Sequence, residues 1–296
     1  MQIMENIRGV FILILLLINT AIMSIPLILI SLIKLIPFVL IQNICRKILD
    51  VLAHIWMWIN VSGGKIFLPT KFSIEGIKEM KKDASYLLIS NHQSWFDIMV
   101  LERVFLGKIP FAKFFLKSEL IWVPILGLAW WAMDFPFMKR YSKEYLLKHP
   151  EKKGKDLEST KKACEKFKRI PLTLVNFLEG TRYSKEKALK QKVNYKNLLK
   201  PKSGGVSLVM DLLGPQMKSI VDVTIVYPNG KITLWDYLCG RIENVNVSIS
   251  YIPITESMLD SSKSIESLRK LRNIINQLWA EKDLKIELLK KKEEQV

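Results

Sequence analysis

The stretch YLLISNHQSWFD, residues 86–97, sets a short apolar run directly before a polar turn and an amphipathic segment. An apolar run of this length predicts a buried β-strand at Tyr86–Ser90, and the residues that follow predict a helix at Trp95–Phe105. Open α/β sheets place their active sites where the carboxyl end of a strand leads into a helix. This stretch therefore predicts an α/β fold with functional side chains at one sheet edge.

Outward from this stretch, strand and helix patterns alternate from Lys65 onward. Further strands are predicted at Pro110–Phe114, Met133–Met138, Leu172–Phe177, Ile220–Tyr227 and Val245–Pro253. Further helices are predicted at Lys155–Arg169, Gly205–Leu213 and Ser264–Leu289, and loops at Tyr141–Gly154 and Thr181–Ser203. Such alternation predicts an α/β domain built on a mixed or parallel sheet flanked by helices.

The N-terminal part of the chain is nearly all apolar over residues 9–42. Phe11–Ile33 carries no charge and exceeds the roughly 20 residues that a membrane-spanning helix needs. Pro26 and Lys34 interrupt the run, so a kinked spanning helix and a helical hairpin in one leaflet both fit. We expect a membrane anchor over residues 1–45 and a catalytic domain over residues 46–296, where His54–Trp58 forms an interfacial helix or a core helix.

The chain carries a net charge of +17, which predicts anionic partners. Nucleic acid is a common partner of such charge, but the apolar N-terminal run favours an anionic membrane surface, and we predict no nucleic-acid partner. Three widely spaced cysteines, Cys45, Cys164 and Cys239, fit neither a disulfide framework nor a zinc site. They indicate free thiols in a reducing compartment, so we expect a membrane protein whose catalytic domain faces the cytoplasm.

His92 is the candidate general base, because it follows the predicted strand and has Asp97 downstream on the same turn. A carboxylate that hydrogen-bonds an imidazole fixes its tautomer and leaves the other nitrogen free to take a proton. A lone pair of this kind is also compatible with a structural histidine. Asn91 and Asp97 could equally serve as turn and cap residues.

A second polar run, FLEGTRYS at residues 177–184, also follows a predicted strand and should reach the same sheet edge. Gly180 permits a sharp turn after Glu179. Arg182 offers a planar guanidinium suited to bidentate phosphate binding, and Glu179 could orient that arginine or bind a glycerol hydroxyl. Alone, the run could also be a surface turn with a salt bridge.

Taken together, the two runs resemble the glycerolipid acyltransferase family, whose motifs are H-x4-D followed by E-G-T-R. The resemblance covers residues 65–228. It implies a glycerol-3-phosphate acyltransferase-like mixed sheet, catalytic His92 and Asp97, and a substrate-binding set consisting of Lys117, Arg140, Glu179, Gly180, Thr181 and Arg182. The run FPFMKR has Lys139 where the family often has an acidic residue, so either Lys139 or Arg140 could meet the phosphate.

More narrowly, NHQSWFD, FLEGTRYS, LLKPKSGG and DVTIVYP resemble the 1-acylglycerol-3-phosphate acyltransferase branch that includes lysocardiolipin-type members. This branch implies acyl transfer from acyl-CoA or acyl carrier protein to the sn-2 hydroxyl of lysophosphatidic acid, within phospholipid biosynthesis. The expected partners are the lysophospholipid, the thioester donor and possibly acyl carrier protein. Alternatives are another acceptor, such as lysophosphatidylglycerol or lysocardiolipin, and a non-enzymatic basic scaffold tethered to a membrane.

The family resemblance implies direct transfer without an acyl-enzyme, and the sequence agrees with that. The sequence contains no G-x-S-x-G elbow, and no cysteine lies near either motif. The three histidines, His54, His92 and His149, are scattered and offer no ligand cluster. We therefore predict no metal and no cofactor beyond the acyl-thioester co-substrate.

Overall fold

The computed structural model describes residues 2–138, 148–149, 164–165, 167–168, 170–228, 230, 232–259 and 264–294. Its strands are β1 Lys71–Glu75, β2 Ser85–Ser90, β3 Ala112–Phe114, β4 Leu116–Lys117, β5 Phe137–Met138, β6 Thr173–Phe177, β7 Met217–Val226 and β8 Asn244–Ile252. Its helices are α1 Gln2–Ile33, α2 Val39–Phe67, α3 Phe96–Phe105, α4 Leu126–Ala132, α5 Lys185–Gln191, α6 Gly204–Leu213, α7 Leu234–Leu238, α8 Glu256–Leu259 and α9 Ile265–Glu294.

The main sheet has six strands in the order β1-β8-β7-β2-β6-β3. Strands β7, β2, β6 and β3 run parallel to one another, whereas β8 is antiparallel to β7 and pairs in parallel with β1. The predicted mixed sheet is thus confirmed. Strands β4 and β5 form a separate parallel pair.

Helices cover both faces of the sheet, because alternate side chains of a strand point to opposite faces. On β2, Tyr86 and Leu88 pack in a core with residues of α1, α2 and α3. The intervening Leu87 and Ile89 pack with residues of α6 and α9. All four of these β2 side chains are buried, which explains why this strand reads as a continuous apolar run.

The N-terminal residues form a helical hairpin. Helices α1 and α2 lie antiparallel, as shown by ring contact between Phe11 and Phe67 and by the bond from the Asn19 amide to the Asn60 side chain at 2.7 Å. The turn between them contains Pro37, which cannot donate a helical hydrogen bond. Helix α2 runs without a break through residues 45 and 46, and it contains His54–Trp58.

The α1–α2 hairpin lies against the domain that contains the sheet. Near the start of α1, Glu5 pairs with Arg241 at 3.0 Å. At its far end, Lys34 pairs with Asp134 at 2.8 Å. Gln2–Ile33 is a helix long and apolar enough to cross a membrane. Because both ends of α1 are tied to the domain, the hairpin is part of the fold and not a detached leader.

Most of the predicted elements agree with the structure to within three residues, and the predicted helix Ser264–Leu289 ends five residues before α9 does. Two predictions differ further. The predicted strand Met133–Met138 is strand only at Phe137–Met138, since Met133 ends α4 and Asp134 has a φ of 58°. The predicted loop Thr181–Ser203 contains α5, which Ser184 caps through the backbone N–H of Lys187. Strand β1 was not predicted. The predicted loop Tyr141–Gly154 and helix Lys155–Arg169 fall almost entirely outside the described residues.

Candidate active site

The two polar runs meet at one edge of the sheet, as predicted. Strands β2 and β6 are neighbouring parallel strands, and Ser90 pairs with Phe177 at their carboxyl ends. His92 and Glu179 each follow two residues later, so the register places them side by side. The backbone N–H of His92 donates to the Glu179 carboxylate at 2.8 Å.

Asp97 is buried, and its carboxylate accepts four hydrogen bonds. Oδ2 accepts from Nδ1–H of His92 at 2.8 Å, and from the backbone N–H groups of Gln93 and Ser94 at 2.6 and 2.9 Å. Oδ1 accepts from the hydroxyl of Tyr227 at 2.6 Å. The backbone bonds make Asp97 a turn residue as well as the partner of His92, whereas the N-cap of α3 is Trp95. With both oxygens held in this way, the carboxylate fixes the imidazole orientation.

The His92 ring is held by stacking as well as by hydrogen bonding. It stacks on Phe177 at a centroid distance of 4.0 Å and an interplanar angle of 15°, and Phe177 stacks on Phe114 at 5.9 Å. The carbonyl of His92 accepts from the N–H of Tyr183 at 2.7 Å. Nε2 has no hydrogen-bond partner among the described residues, and the side chain is 14% exposed. This nitrogen is available to a substrate.

Glu179 fastens the His92 loop to a second loop. One carboxylate oxygen accepts from His92, and the other accepts from the backbone N–H of Leu199 at 2.9 Å. Burial raises the pKa of Glu179 to about 8, and the two amide bonds oppose that rise. Among the described contacts, this carboxylate bonds to backbone groups and not to Arg182, so the first of its two predicted roles, orienting that arginine, is not seen.

Gly180, Thr181 and Arg182 form the predicted turn. Gly180 has a φ of 65°, and its N–H donates to the carbonyl of Phe177 at 2.9 Å. The ammonium of Lys187 donates to the Thr181 hydroxyl at 2.8 Å and to the Arg182 carbonyl at 2.9 Å. The Arg182 guanidinium is exposed and lies over the ring of Trp95, 5.3 Å from its centroid. Because Trp95 precedes α3, this contact sets the guanidinium beside the His92 loop.

Of the remaining predicted phosphate ligands, Lys117 belongs to the β4–β5 pair. Lys117 is exposed at the end of β4 and pairs in register with Met138 of β5. Across the described ranges, no hydrogen bond or ion pair joins Lys117 to His92 or Arg182. Lys139 and Arg140 lie outside the residues that the structure describes.

Three residues of the site were not predicted. Tyr227 donates to Asp97, and Phe177 forms the stacking surface for His92. The Gln93 amide donates to the Ile225 carbonyl at 3.0 Å, which ties the loop to β7. Tyr227 and Phe177 both lie at carboxyl ends of parallel strands. That position in the sequence could have indicated that they belong to the site.

Helix α9 holds the site from the other face of the sheet. The indole N–H of Trp279 donates to the Leu199 carbonyl at 2.9 Å. The Asp283 carboxylate accepts from the backbone N–H groups of Lys196 and Asn197 at 2.9 and 2.8 Å. The loop that meets Glu179 is therefore clamped between α9 and the site.

Lys282 of α9 is a buried cation below the site. Its ammonium donates to the Val223 carbonyl at 2.7 Å and to the Thr224 hydroxyl at 3.1 Å, and it pairs with Asp222 at 2.7 Å. Burial lowers the pKa of Lys282, and Asp222 opposes that change. The ion pair joins α9 to β7, the strand that leads to Tyr227.

A cavity of about 730 Å³ lies at the opposite edge of the sheet. Its lining includes Asp50 of α2, and Pro110 and Pro171, which precede β3 and β6. None of the predicted site residues lines it. Within the described ranges there is no group of three or more His, Cys, Asp or Glu residues that could hold a metal ion.

Known proteins carry the same pattern of elements. A family model described as Acyltransferase matches residues 71–228, more than half of the chain. This chain belongs to the Acyltransferase family. The matched segment contains His92, Asp97 and the Glu179–Arg182 turn, and the resemblance to acyltransferases is confirmed at family level. The roles of the motif residues stay predictions. The lysocardiolipin-type branch stays a prediction.

Among curated relatives, the human and orangutan (Pongo abelii) proteins named 1-acyl-sn-glycerol-3-phosphate acyltransferase gamma are each 23% identical over 200 residues, covering 62% of this chain and 50% of theirs. An Arabidopsis thaliana protein named 1-acyl-sn-glycerol-3-phosphate acyltransferase 3 is 24% identical over 179 residues, covering 55% of this chain and 44% of its own. The chain thus spans about half the length of these relatives.

A solved structure has a similar fold. The 1-acyl-sn-glycerophosphate acyltransferase PlsC from Thermotoga maritima superposes with a TM-score of 0.52 at 18% identity, covering 97% of this chain and 98% of that protein. The similarity extends over the N-terminal hairpin as well as the sheet domain. It supports the fold of the whole chain.

Proposed function

We propose that this chain transfers an acyl group from an acyl thioester to the sn-2 hydroxyl of 1-acylglycerol-3-phosphate, giving phosphatidic acid in phospholipid biosynthesis. The observation that carries the proposal is the imidazole of His92, which Asp97 holds by Nδ1 while Nε2 stays open to substrate. The names of the family and its relatives support the reaction class. A basic scaffold tethered to a membrane would have no use for this geometry.

In the proposed step, Nε2 of His92 removes the proton of the sn-2 hydroxyl as its oxygen attacks the thioester carbonyl carbon. The tetrahedral species collapses with loss of the thiolate, which takes the proton back from His92. Asp97 keeps the imidazole in the tautomer that makes Nε2 a base, and it stabilises the imidazolium. No acyl-enzyme forms, and His92 ends in its starting state.

The acceptor phosphate would bind at the Glu179–Arg182 turn. The Arg182 guanidinium is exposed, lies beside the His92 loop in contact with Trp95, and has the planar shape that suits a phosphate. Lys117 of β4 would contribute to the phosphate site, together with Lys139 or Arg140 as the sequence motif suggests. Positioning of this kind can contribute several kcal/mol to catalysis.

The proposed site of action is a membrane surface, with the catalytic domain in the cytoplasm. The apolar side chains of α1 and α2 that face away from the domain support this, since Ile7, Phe11, Ile22 and Trp58 are each about half exposed or more. Because α1 is tied to the domain at both ends, we favour a hairpin lying in one leaflet over a single spanning helix. Anionic lipid would attract the basic domain.

The decisive experiment is acyl transfer with purified protein in detergent micelles. We expect His92→Ala to lower kcat by at least about 1,000-fold, as loss of a general base with its orienting partner does. His149→Ala is the matched control, because His149 is exposed and lies outside both motifs. Near-normal turnover by the His92 variant would overturn the proposal.

A matrix of acceptors and donors tests the finer assignment. The acceptors are lysophosphatidic acid, lysophosphatidylglycerol and lysocardiolipin, and the donors are acyl-CoA and acyl carrier protein. We expect the highest kcat/KM with lysophosphatidic acid. A preference of more than about 10-fold for another lysolipid, equal to about 1.4 kcal/mol, would reassign the acceptor and keep the reaction class.

A further inference from the structure

The chain between β4 and β5 exposes large apolar side chains on a short, folded segment, residues 118–132, which we term the tryptophan ridge. The exposed fractions are 85% for Trp122, 50% for Leu128, 43% for Ile125 and 38% for Trp131. Several large apolar groups exposed on one short segment mark an interaction surface more often than a free surface. The ridge plays no part in the sheet or in the His92–Asp97 pair.

The ridge is tightly folded and exposes its apolar groups. A side chain at Gly127 would collide with the carbonyl oxygen of Ile121, so the first turn packs tightly on the start of α4. Ile125 has a φ of 64°, in a γ-turn closed by the Leu126 N–H to the Pro124 carbonyl at 2.7 Å. A β-branched residue rarely adopts this conformation, which costs about 1–3 kcal/mol. The fold sustains that strain while Ile125 stays at the surface.

The inner side of the ridge packs on α1. Thr20, Met23 and Leu27 of α1 line a narrow crevice together with Leu126 and Ala129 of α4. At the end of the ridge, the Lys34 ammonium donates to the Ala132 carbonyl at 2.8 Å. The ridge is thus bonded to the hairpin and continues its apolar surface.

The ridge also begins at the active-site edge. It follows directly after Lys117, which ends β4, and β4 follows Phe114, whose ring stacks on Phe177 and through it on His92. One continuous structure therefore runs from the general base to the ridge and from the ridge to α1.

We infer that the tryptophan ridge inserts into the same lipid leaflet as the α1–α2 hairpin and delivers the lysolipid from that leaflet to His92. Lipid is the partner that fits, because the ridge continues an apolar helical surface and tryptophan favours the headgroup level. The delivery role rests on the proposed function, whereas insertion does not.

Insertion is tested with a fluorophore on a single new cysteine. Leu128→Cys labels the ridge, and Leu284→Cys is the matched control, since Leu284 is 67% exposed on α9 at the opposite face of the sheet. The native cysteines are all buried and unpaired, which favours labelling at the new site. The labelled proteins bind vesicles of phosphatidylcholine and phosphatidylglycerol in equal parts, with a nitroxide on a fraction of the acyl chains.

We expect strong quenching at position 128 and a water-like signal at position 284. A water-like signal at both positions would overturn the inference. Equal quenching at both positions would also overturn it, because the ridge would then be no closer to the lipid than the opposite face of the sheet. If vesicle binding leaves 128 in water while Trp122→Glu abolishes self-association in sedimentation, the ridge is an interface between copies of this chain and the inference is wrong.

Delivery is tested by kinetics with the pair Trp122→Glu and Leu284→Glu. We expect Trp122→Glu to raise the apparent KM for long-chain 1-acylglycerol-3-phosphate in vesicles by roughly 10-fold, with kcat and the rate on a dispersed short-chain acceptor unchanged. Equal losses of activity on the long-chain and the short-chain acceptor would mean that Trp122 supports the folded structure, and would refute delivery. Quenching needs no turnover, so an inactive but quenched wild-type protein would refute the proposed function and leave insertion standing.

Discussion

Replacing Glu179 with glutamine tests whether this residue holds the His92 loop or binds substrate. Each carboxylate oxygen accepts a hydrogen bond from a backbone amide, at 2.8 Å from His92 and at 2.9 Å from Leu199. A glutamine side chain has one acceptor oxygen, and its NH2 group cannot accept, so one buried N–H loses its partner. Such a loss costs about 1–3 kcal/mol.

For a protein of this size, that cost lowers Tm by about 2–10 °C. The freed loop would also let His92 shift relative to Asp97, and a shift below about 1 Å can lower kcat by about 100-fold. The acceptor KM should not change, because the carboxylate of Glu179 is buried. The assays are thermal unfolding in detergent and acyl transfer at varied acceptor mole fraction.

Glu102→Gln is the matched control for Glu179→Gln. Glu102 is another buried glutamate whose pKa burial raises to about 8, but it lies within α3 and makes no side-chain hydrogen bond to the site within the described part of the chain. The control should keep full activity. A Glu179→Gln protein with unchanged Tm and kcat but a higher acceptor KM would refute the clamp and make Glu179 a substrate ligand.

Three further changes have defined outcomes. Tyr227→Phe removes the 2.6 Å bond to Asp97 and should lower kcat about 10-fold at constant KM in the same assay, since a hydrogen bond to a charged group contributes about 1.5–3 kcal/mol. Glu102→Gln should remove a pH dependence of stability, which urea unfolding measures. The folded pKa of Glu102 is about 8 and its usual value is 4.5, so the wild-type contribution to stability is full at low pH. It is lost as the pH rises from about 4.5 toward 8. Lys282→Met should lower the unfolding free energy by about 3–5 kcal/mol, because it leaves the Asp222 carboxylate unpaired.

Each of these expectations has a result that contradicts it. An unchanged kcat for Tyr227→Phe would mean that the other three hydrogen bonds to Asp97 are sufficient to hold it in place. Parallel pH profiles of wild type and Glu102→Gln would mean that Glu102 titrates normally. For the ion pair, Lys282→Met combined with Asp222→Leu should recover most of the lost stability, and a double variant as weak as the single one would place the loss in packing.

The sheet and the pairing of the two motifs could be predicted from the sequence because they depend on local signals. Buried parallel strands read as apolar runs, and polar residues that follow them converge at one edge whatever the strand order. Helix α5 was missed because seven residues rich in lysine have little apolar periodicity, and Ser184 supplies its cap. The strand predicted at Met133 failed because apolar residues favour both short helices and strands.

The roles within the site could be predicted less well than their positions. The carboxylate of Glu179 bonds to backbone amides. Every residue except proline has such an amide, so the side-chain pattern cannot predict this contact. Tyr227 stands 130 residues from Asp97 in the chain, so their bond depends on the pairing of β7 with β2. The sequence did not decide whether the N-terminal anchor is one spanning helix or a helical hairpin. Lys34 interrupts the apolar run, but its ion-pair partner Asp134 cannot be identified from the sequence.

Because α9 holds the loop that bonds to Glu179, the structural unit that supports the site is larger than the segment that carries the motifs. The family match ends at residue 228, yet Trp279 and Asp283 hold the loop that Glu179 grips, some fifty residues further on. A chimera that exchanged only residues 71–228 between relatives would inherit every motif but lose the native contacts between α9 and the loop that Glu179 bonds to. Variation in α9 can therefore tune catalysis while every motif residue stays the same.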